Sequence, residues 1–192
     1  MNILSSLSLE KRVQMNDILT DMRISIVGLP GSGKTTLAER LSKKLRLPHV
    51  HIDRFWLEAG GLTVSRRKGG AEYRQQVHAK VRARALEAHM ADSWVSDGFY
   101  TGMVPEITEW ADRIIYLKIP LGHRLLNHAK RMVHPNDRHP ELNWWSEIIF
   151  FYEIVRRDFV TKPKLEQYVE TNKNKVTVLK SFKEVDAFVN KF

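Results

Sequence analysis

The sequence contains no cysteine, so a disulfide framework and a cysteine-based zinc site are both excluded. It also has no apolar run near the ~18 residues that a helix needs to cross a bilayer. Residues 1–21 have no basic segment followed by an apolar stretch, so we expect no secretory signal peptide. These absences predict a cytoplasmic protein that works without a membrane partner.

Acidic residues are in short supply. Aspartate and glutamate number 22 against 31 lysines and arginines, which gives a net charge of +9. Such a charge favours polyanionic partners or anionic substrates. The basic residues are scattered along the chain and form no single stripe with interleaved aromatics, the pattern that a nucleic-acid surface favours. We therefore expect anionic small molecules as partners and keep DNA as an alternative.

A length of 192 residues suits one α/β domain. Short apolar and β-branched runs alternate with segments whose apolar residues recur at helical spacing. This alternation predicts a parallel sheet of five strands flanked by helices. We expect residues 1–22 to form an N-terminal extension and residues 23–192 to form the domain. The predicted strands are 23–27, 48–53, 93–98, 113–119 and 175–179, and the predicted helices are 35–45, 71–90, 121–133, 142–160 and 182–189.

Residues 28–35 read GLPGSGKT, which fits the phosphate-loop pattern G-x-x-x-x-G-K-[ST]. Glycines let the backbone curl so that successive N–H groups point inward at a phosphate. The lysine adds a positive charge for the terminal phosphates, and the final hydroxyl is a ligand for Mg²⁺. The loop lies between a predicted strand and a predicted helix, whose positive end also faces the anion. We expect ATP and Mg²⁺ to bind here, on Gly28, Pro30, Gly31, Ser32, Gly33, Lys34, Thr35 and Thr36.

Asp97 is the second candidate, because it stands at the end of an apolar predicted strand. Ligands of parallel sheets bind beyond the carboxyl ends of the strands, and phosphoryl transfer needs a carboxylate near Mg²⁺. The next predicted strand carries Lys118 at the corresponding position. Thr35 and Asp97 are therefore the predicted metal ligands. The alternative interpretation of Asp97 is a turn aspartate before Gly98.

Four segments carry a family resemblance. Beside the phosphate loop, residues 51–56 read HIDRFW, residues 94–100 read WVSDGFY and residues 111–117 read ADRIIYL. The DGF of the third segment is similar to the DGFPR segment of adenylate kinases. The full set resembles a bacterial group of adenylate-kinase-related proteins known as DNA topology modulation proteins. The resemblance runs from about residue 23 to the end of the chain, and the phosphate loop is its most specific part.

The resemblance implies a P-loop NTPase fold of the nucleoside- and shikimate-kinase type, with a mobile lid at about residues 131–142. Lids of this kind carry arginines that close over the transferring phosphate. Arg131 and Arg138 are the candidates in this sequence. Arg156 or Arg157 would reach in from the following helix. Such a set suits a reaction whose catalysis is mostly positioning and charge neutralisation.

Two further positions concern the nucleotide and the acceptor. Arg124 matches the position that lies against the adenine ring in the related kinases. Asp53 is similar to the carboxylate that small-metabolite kinases, such as shikimate kinase, place at the end of the second strand to orient or deprotonate an acceptor hydroxyl. A capping aspartate at a strand end is the alternative. The arginine that follows DGFP in adenylate kinases is absent, since Tyr100 is followed by Thr101, so we expect AMP to be a poor acceptor.

The sequence therefore predicts an ATP-binding phosphotransferase that moves the γ-phosphate to a small acceptor, either a nucleotide or a small metabolite. The acceptor would lie between Asp53, Trp56 and the basic residues 66–68. A nucleotide-switched, DNA-associated regulatory protein and an ATPase without an acceptor are the alternatives. The residues predicted to take part in catalysis are Lys34, Asp53, Asp97, Arg131, Arg138 and Arg157.

Overall fold

A computed structural model describes residues 22–59, 70–99, 102–133 and 144–192, with side chains for all of these except 131–133 and 144–149. Within these ranges the strands are β1 (Arg23–Gly28), β2 (His49–His51), β3 (Trp94–Asp97), β4 (Arg113–Leu117) and β5 (Val176–Leu179). They form one parallel sheet in the order β2-β3-β1-β4-β5. The predicted α/β class and the predicted five-stranded parallel sheet are confirmed.

Helices cover both faces of this sheet. In the described ranges they are α1 (Lys34–Leu45), α2 (Ile52–Glu58), α3 (Ala71–His89), α4 (Glu106–Trp110), α5 (Leu121–Val133), α6 (Trp144–Val160), α7 (Lys162–Thr171) and α8 (Phe182–Asn190). Helices α2, α4 and α7 are absent from the predictions. Helix α4 is too short for its periodicity to show, and α7 follows α6 almost directly. Pro163 sits in the first turn of α7, where a missing backbone N–H is tolerated.

Alternation along the strands creates two apolar layers, because successive side chains of a strand point to opposite faces. Ile24 and Ile26 of β1 face the layer that α1 and α8 cover. Val27 and the fully buried Trp94 face the other layer, which α2, α3, α4 and α7 cover. Helices on both faces explain why residues 114–117 of β4 are buried and read as a continuous apolar run in the sequence.

The strand order brings the predicted site residues to one edge of the sheet. Strand β1 runs directly into the glycine loop, and β3 pairs with it so that Ile26 lies opposite Asp97. Strand β2 lies on the other side of β3, with His51 opposite Asp97. All three strands are parallel, so their carboxyl ends meet at the same edge. The fold therefore places the loop, the carboxylate and the end of β2 side by side.

One strand boundary is a correction. The second strand was predicted over 48–53 with Asp53 at its end, but β2 ends at His51 and Asp53 lies in the first turn of α2. The helix begins at once because Asp53 suits a first helical turn, where acidic side chains are favoured. The carboxylate is therefore carried by a helix start and is exposed to solvent.

Several predictions concern residues outside the described ranges. These are the N-terminal extension up to residue 21, the basic residues 66–68, and the lid beyond residue 133. Residues 131–133 of the predicted lid form the end of α5. Among the described residues, none of the helices has the length and apolar character needed to traverse a bilayer.

Candidate active site

The glycine loop after β1 has the backbone that its sequence predicts. Gly31 and Gly33 adopt φ values of 79° and 86°, a left-handed conformation that other residues rarely take. A side chain at Gly28 would place its Cβ 2.7 Å from Ser32 Oγ and 3.0 Å from the Leu117 carbonyl oxygen. These glycines are therefore required by the tight curl of the loop. Helix α1 starts at Lys34, so its N-terminal end opens into this curl.

Lys34 is partly buried at the start of α1. Its Nζ donates to the Leu29 carbonyl oxygen at 3.3 Å. Burial lowers the pKa of Lys34, and the carboxylates of Asp53 and Asp97 oppose this shift without reversing it. The nearby charge of Arg157 lowers the pKa further. The loop thus holds a partly desolvated cation, which an incoming phosphate would stabilise.

Ser32 adds an uncommitted polar group to the loop. Its side chain is fully buried, and its Oγ has no hydrogen-bond partner within the described part of the chain. Buried hydroxyls are nearly always satisfied in folded proteins, so an orphan of this kind needs an explanation. A phosphate oxygen in the loop would accept its hydrogen bond. Thr36, also predicted to bind ATP, is exposed on the first turn of α1.

Asp97 is buried at the end of β3 and accepts hydrogen bonds on both oxygens. The Thr35 hydroxyl donates to Oδ2 at 2.6 Å. His49 Nε2 lies 2.8 Å from Oδ1 and donates to it, since an ionised carboxylate only accepts. Burial alone would raise the pKa of Asp97, but His49, His51 and Thr35 together hold it below its usual value. Asp97 is therefore a fixed anion beside the loop.

The donor set of Thr35 and Asp97 fits Mg²⁺. Both residues offer oxygen atoms, which this hard cation prefers, and Mg²⁺ in phosphate sites usually takes one or two protein ligands plus waters and phosphate oxygens. Across the described residues no cluster of three or more histidine, aspartate or glutamate side chains is arranged to hold a metal on its own. A metal here would thus depend on the phosphates for its remaining ligands.

The two histidines of β2 were missed as site residues. His49 and His51 alternate along the strand, so both rings stand on one face, with centroids 5.7 Å apart. His51 Nε2 lies 3.8 Å from Asp97 Oδ2, too far for a hydrogen bond. Two histidines in an H-x-H spacing near a predicted strand end could have indicated a pair of site residues. Only the parallel pairing of β2 with β3 shows that they lie beside Asp97.

Arg124 and Arg157 approach the loop in different ways. Arg124 is 1% exposed, and its guanidinium donates to the Pro30 and Ile119 carbonyl oxygens and to Asp158. Arg156 and Arg157 both donate to Glu153, and the charge of Arg157 adds to the lowering of the Lys34 pKa by burial. The predicted role of Arg157 at the transferring phosphate stays a prediction.

The remaining predicted arginines cannot be placed in the site. Arg138 lies outside the described residues, and the side chain of Arg131 is not described. The Asp53 carboxylate is exposed, and its charge opposes the lowering of the Lys34 pKa by burial. Its predicted role toward an acceptor, like the adenine contact predicted for Arg124, stays a prediction.

A cleft of about 580 Å³ opens beside α2 and α3. Trp56 and Phe99 give it an aromatic lining, and His78 packs edge-on against Trp56 with ring centroids 4.9 Å apart. Arg82 also borders the cleft, but its guanidinium is engaged by Glu106 in two hydrogen bonds of 3.1 and 2.5 Å. Trp56 was predicted to line an acceptor pocket. The pairing of Arg82 with a residue 24 positions later leaves no trace in the sequence.

Residues 27–138 match the protein family described as AAA domain. This match covers more than half of the chain. The chain therefore belongs to that family. An adenylate kinase of Corynebacterium glutamicum is 33% identical over 111 residues, covering 54% of this chain and 59% of the relative. A cytidylate kinase of Pyrobaculum aerophilum is 32% identical over 111 residues, covering 56% and 59%.

A longer match has lower identity. An adenylate kinase of Thermosynechococcus vestitus is 26% identical over 175 residues, covering 77% of this chain and 84% of the relative. The crystal structure of a shikimate kinase from Bacteroides thetaiotaomicron superposes with a TM-score of 0.51 at 15% identity, covering 88% of this chain and 95% of that one. At that identity the likeness concerns the fold, which is the predicted shikimate-kinase type. The chain spans 59% of the length of the first relatives it matches.

Proposed function

We propose that the chain is an ATP-dependent phosphotransferase that moves the γ-phosphate of ATP to a small acceptor. The observation that carries the proposal is the 2.6 Å contact between the Thr35 hydroxyl and the buried Asp97 carboxylate. It lies beside a glycine loop that holds a partly desolvated lysine. A phosphate loop with an adjoining metal-binding hydroxyl and carboxylate is the arrangement that phosphoryl transfer needs. The similarity to adenylate and cytidylate kinases supports the same class.

In the proposed reaction, the loop N–H groups and Lys34 hold the β- and γ-phosphates. Mg²⁺ on Thr35 and Asp97 would supply charge neutralisation at the phosphate oxygens. The acceptor oxygen forms a bond to the γ-phosphorus while the bond from that phosphorus to the β–γ bridging oxygen breaks. ADP leaves with the bonding electron pair, and Asp53 accepts the acceptor proton. Arg157 adds positive charge near the transferring group.

The cleft beside α2 is the proposed acceptor site. Trp56, which lines it, stands one helical turn after Asp53, so the two side chains lie on the same side of α2. An aromatic wall next to a carboxylate suits a small hydroxyl-bearing or phosphate-bearing molecule with an apolar or planar part. AMP should be a poor acceptor, because the arginine expected after Phe99 is absent and Arg82 is already engaged by Glu106.

We also propose membership of the DNA topology modulation group, which only the motifs of the sequence support. A DNA-associated role would depend on the net charge of +9. Against it stands the engagement of several described arginines: Arg82 by Glu106, Arg124 by Asp158 and Arg40 by Asp186. The kinase class therefore has the stronger support.

The test is a screen of small acceptors in which ADP release from ATP is measured, with duplex DNA binding followed across a salt series. ADP release that requires one acceptor class supports the kinase. ADP release at the same rate without any acceptor would make the chain an ATPase. Salt-dependent DNA binding that ATP changes, with no ADP release, would replace the proposal by a nucleotide-switched DNA-binding role. Asp97→Asn serves as the inactive control in every arm.

A further inference from the structure

The guanidinium of Arg124 is closed off by its own protein partners. Nε donates to the Ile119 carbonyl oxygen at 3.1 Å, Nη1 donates to the Pro30 carbonyl oxygen at 3.2 Å, and Nη2 pairs with Asp158. The residue is 1% exposed, and Asp158 itself is only 14% exposed. Each edge of the guanidinium plane therefore has a partner, and almost none of its surface is open.

The backbone around Arg124 presses on the same loop. A side chain at Gly31 would place its Cβ 2.9 Å from the Arg124 carbonyl oxygen, which explains the need for glycine there. One turn further on, Asn127 Nδ2 donates to the Gly31 carbonyl oxygen at 3.3 Å. The start of α5 thus contacts the loop at two consecutive carbonyl groups, those of Pro30 and Gly31. Fixing these carbonyl groups fixes the direction of the N–H groups that follow them in the curl.

We propose that Arg124 is a positioning residue for the phosphate loop and does not contact the adenine ring. A guanidinium stacks on a purine only through an exposed face, and Arg124 has none to offer. Through Asp158 it ties the loop to α6, the helix that also carries Arg157. The inference rests on the proposed function, because it assumes that the loop holds the phosphates of ATP.

The two possible roles of Arg124 concern different parts of ATP, the polyphosphate chain and the adenine base. A residue that shapes the loop affects every ligand with a polyphosphate chain, whether or not it carries a base. A residue that contacts adenine affects ATP and leaves inorganic tripolyphosphate unchanged. Calorimetric titration of the full chain with ATP and with inorganic tripolyphosphate, both with Mg²⁺, therefore reads the role of Arg124 directly.

Arg124→Lys is the main variant, because lysine keeps the charge opposite Asp158 but lacks the planar fork that reaches three partners at once. We expect its affinity for ATP and for tripolyphosphate to fall by the same factor, about tenfold. Arg40→Lys is the matched control, because Arg40 lies on α1 away from the loop and pairs with Asp186 of α8. Both affinities should stay unchanged in this variant. Measurement well below each melting temperature separates a change in the loop from a loss of folded protein.

A fall in ATP affinity with unchanged tripolyphosphate affinity would overturn the proposal in favour of an adenine contact. Unchanged affinity for both ligands in a folded Arg124→Lys would overturn it too. If Arg124→Lys does not fold, Asp158→Asn decides in the same way, because it weakens the contact with Nη2 by removing the carboxylate charge while leaving the arginine in place. A wild-type chain that binds neither ligand would instead show that the proposed function itself is wrong.

Discussion

The two sides of the candidate site, the phosphate loop and the cleft beside α2 and α3, differ in the partners of their polar groups. On the phosphate-loop side, the Ser32 hydroxyl is buried with no partner among the described residues, and Lys34 is held with its pKa lowered by burial. On the cleft side, Arg82 donates to both carboxylate oxygens of Glu106 and to the Met103 carbonyl oxygen, and the lining includes Trp56 and Phe99. The loop side keeps a cation ready for an anion, whereas the cation that borders the cleft is already paired with a carboxylate.

The loop side gives up stability of the folded chain for ligand binding, and the cleft side does not. An unsatisfied buried hydroxyl and a desolvated cation each destabilise the folded chain, and a bound phosphate would remove both penalties. The cleft side gains stability from packing and ion pairing whether or not a ligand is present. We infer that the loop is built for one kind of ligand, polyphosphate, while the cleft selects its ligand by shape and aromatic contact. The following variants break or sharpen that contrast.

Asp97→Asn should have the largest effect. Asparagine keeps the size and part of the hydrogen bonding to Thr35 and His49 but removes the negative charge that Mg²⁺ requires. We expect turnover to fall by roughly 10²–10³, the usual effect of removing one electrostatic group from a transfer site. The melting temperature should fall only slightly, because the folded chain holds the pKa of Asp97 below its usual value and the ionised carboxylate therefore stabilises the fold at neutral pH. Steady-state ADP release and thermal unfolding measure the two quantities, with the exposed Asp92→Asn as the control.

Parallel loss of folding and turnover in Asp97→Asn would show that the carboxylate serves the fold and not the reaction. Addition of excess Mg²⁺ sharpens the result. If Asp97 is a metal ligand, the variant needs a higher Mg²⁺ concentration to reach half of its remaining maximal rate. If Asp97 is purely structural, that concentration does not change.

Features that depend on short stretches of sequence were predictable. The five strands, the glycine loop and the carboxylate at the end of β3 follow from apolar runs and from one eight-residue motif. Asp53 shows where local reading stops. A carboxylate after a short apolar run is equally compatible with a strand end and with the first turn of a helix, and the helix formed.

Contacts between distant segments were not predictable. His49 reaches Asp97 only because β2 and β3 are neighbours in the sheet, 48 positions apart in the chain. The family resemblance predicted that Arg124 lies against the adenine ring. Its burial depends on Asp158, which lies 34 positions later on another helix. The sequence therefore gives the candidate groups, and the packing of α5 against α6 decides which of them still faces a ligand.

Lys34→Met tests the phosphate-loop side of the contrast. ATP affinity should fall by about 10–100-fold, because a charge-assisted hydrogen bond to phosphate is lost. The folded chain holds the pKa of Lys34 below 10.5, so the unfolded chain binds that proton more tightly and the charged lysine destabilises the fold at neutral pH. Without nucleotide, the melting temperature of the variant should therefore rise.

Calorimetry and thermal unfolding without nucleotide check both parts of this prediction. Lys43→Met, an exposed lysine on the same helix, should change neither quantity. A lower melting temperature in Lys34→Met would mean that the lysine stabilises the empty loop. The contrast between the two sides of the site would then be lost.

Trp56→Ala tests the cleft side. Loss of an aromatic wall of the cleft should raise the KM for the acceptor by roughly tenfold, and we expect ATP affinity to stay unchanged. The matched control is Trp110→Ala, which removes a partly buried tryptophan from the same apolar layer without lining the cleft. Kinetics at saturating ATP and calorimetry with ATP alone measure the two effects. A drop in ATP affinity would show that the two sides are not separate.

Ser32→Ala should have the smallest effect and gives the finest test of the contrast. Removing a buried hydroxyl that lacks a partner relieves its desolvation, so the free energy of unfolding without nucleotide should stay the same or rise, by up to about 1 kcal/mol. Ser42→Ala is the matched comparison. The Ser42 hydroxyl donates to the Leu47 carbonyl oxygen at 2.5 Å, so its removal should lower the free energy of unfolding by about 1 kcal/mol. ATP affinity should fall about threefold to tenfold in Ser32→Ala only, because a neutral hydrogen bond to the ligand is lost. Chemical denaturation and calorimetry give the four values. Equal destabilisation by the two substitutions would mean that Ser32 already has a partner in the folded chain, and the loop would then lose one of the two groups that set it apart from the cleft.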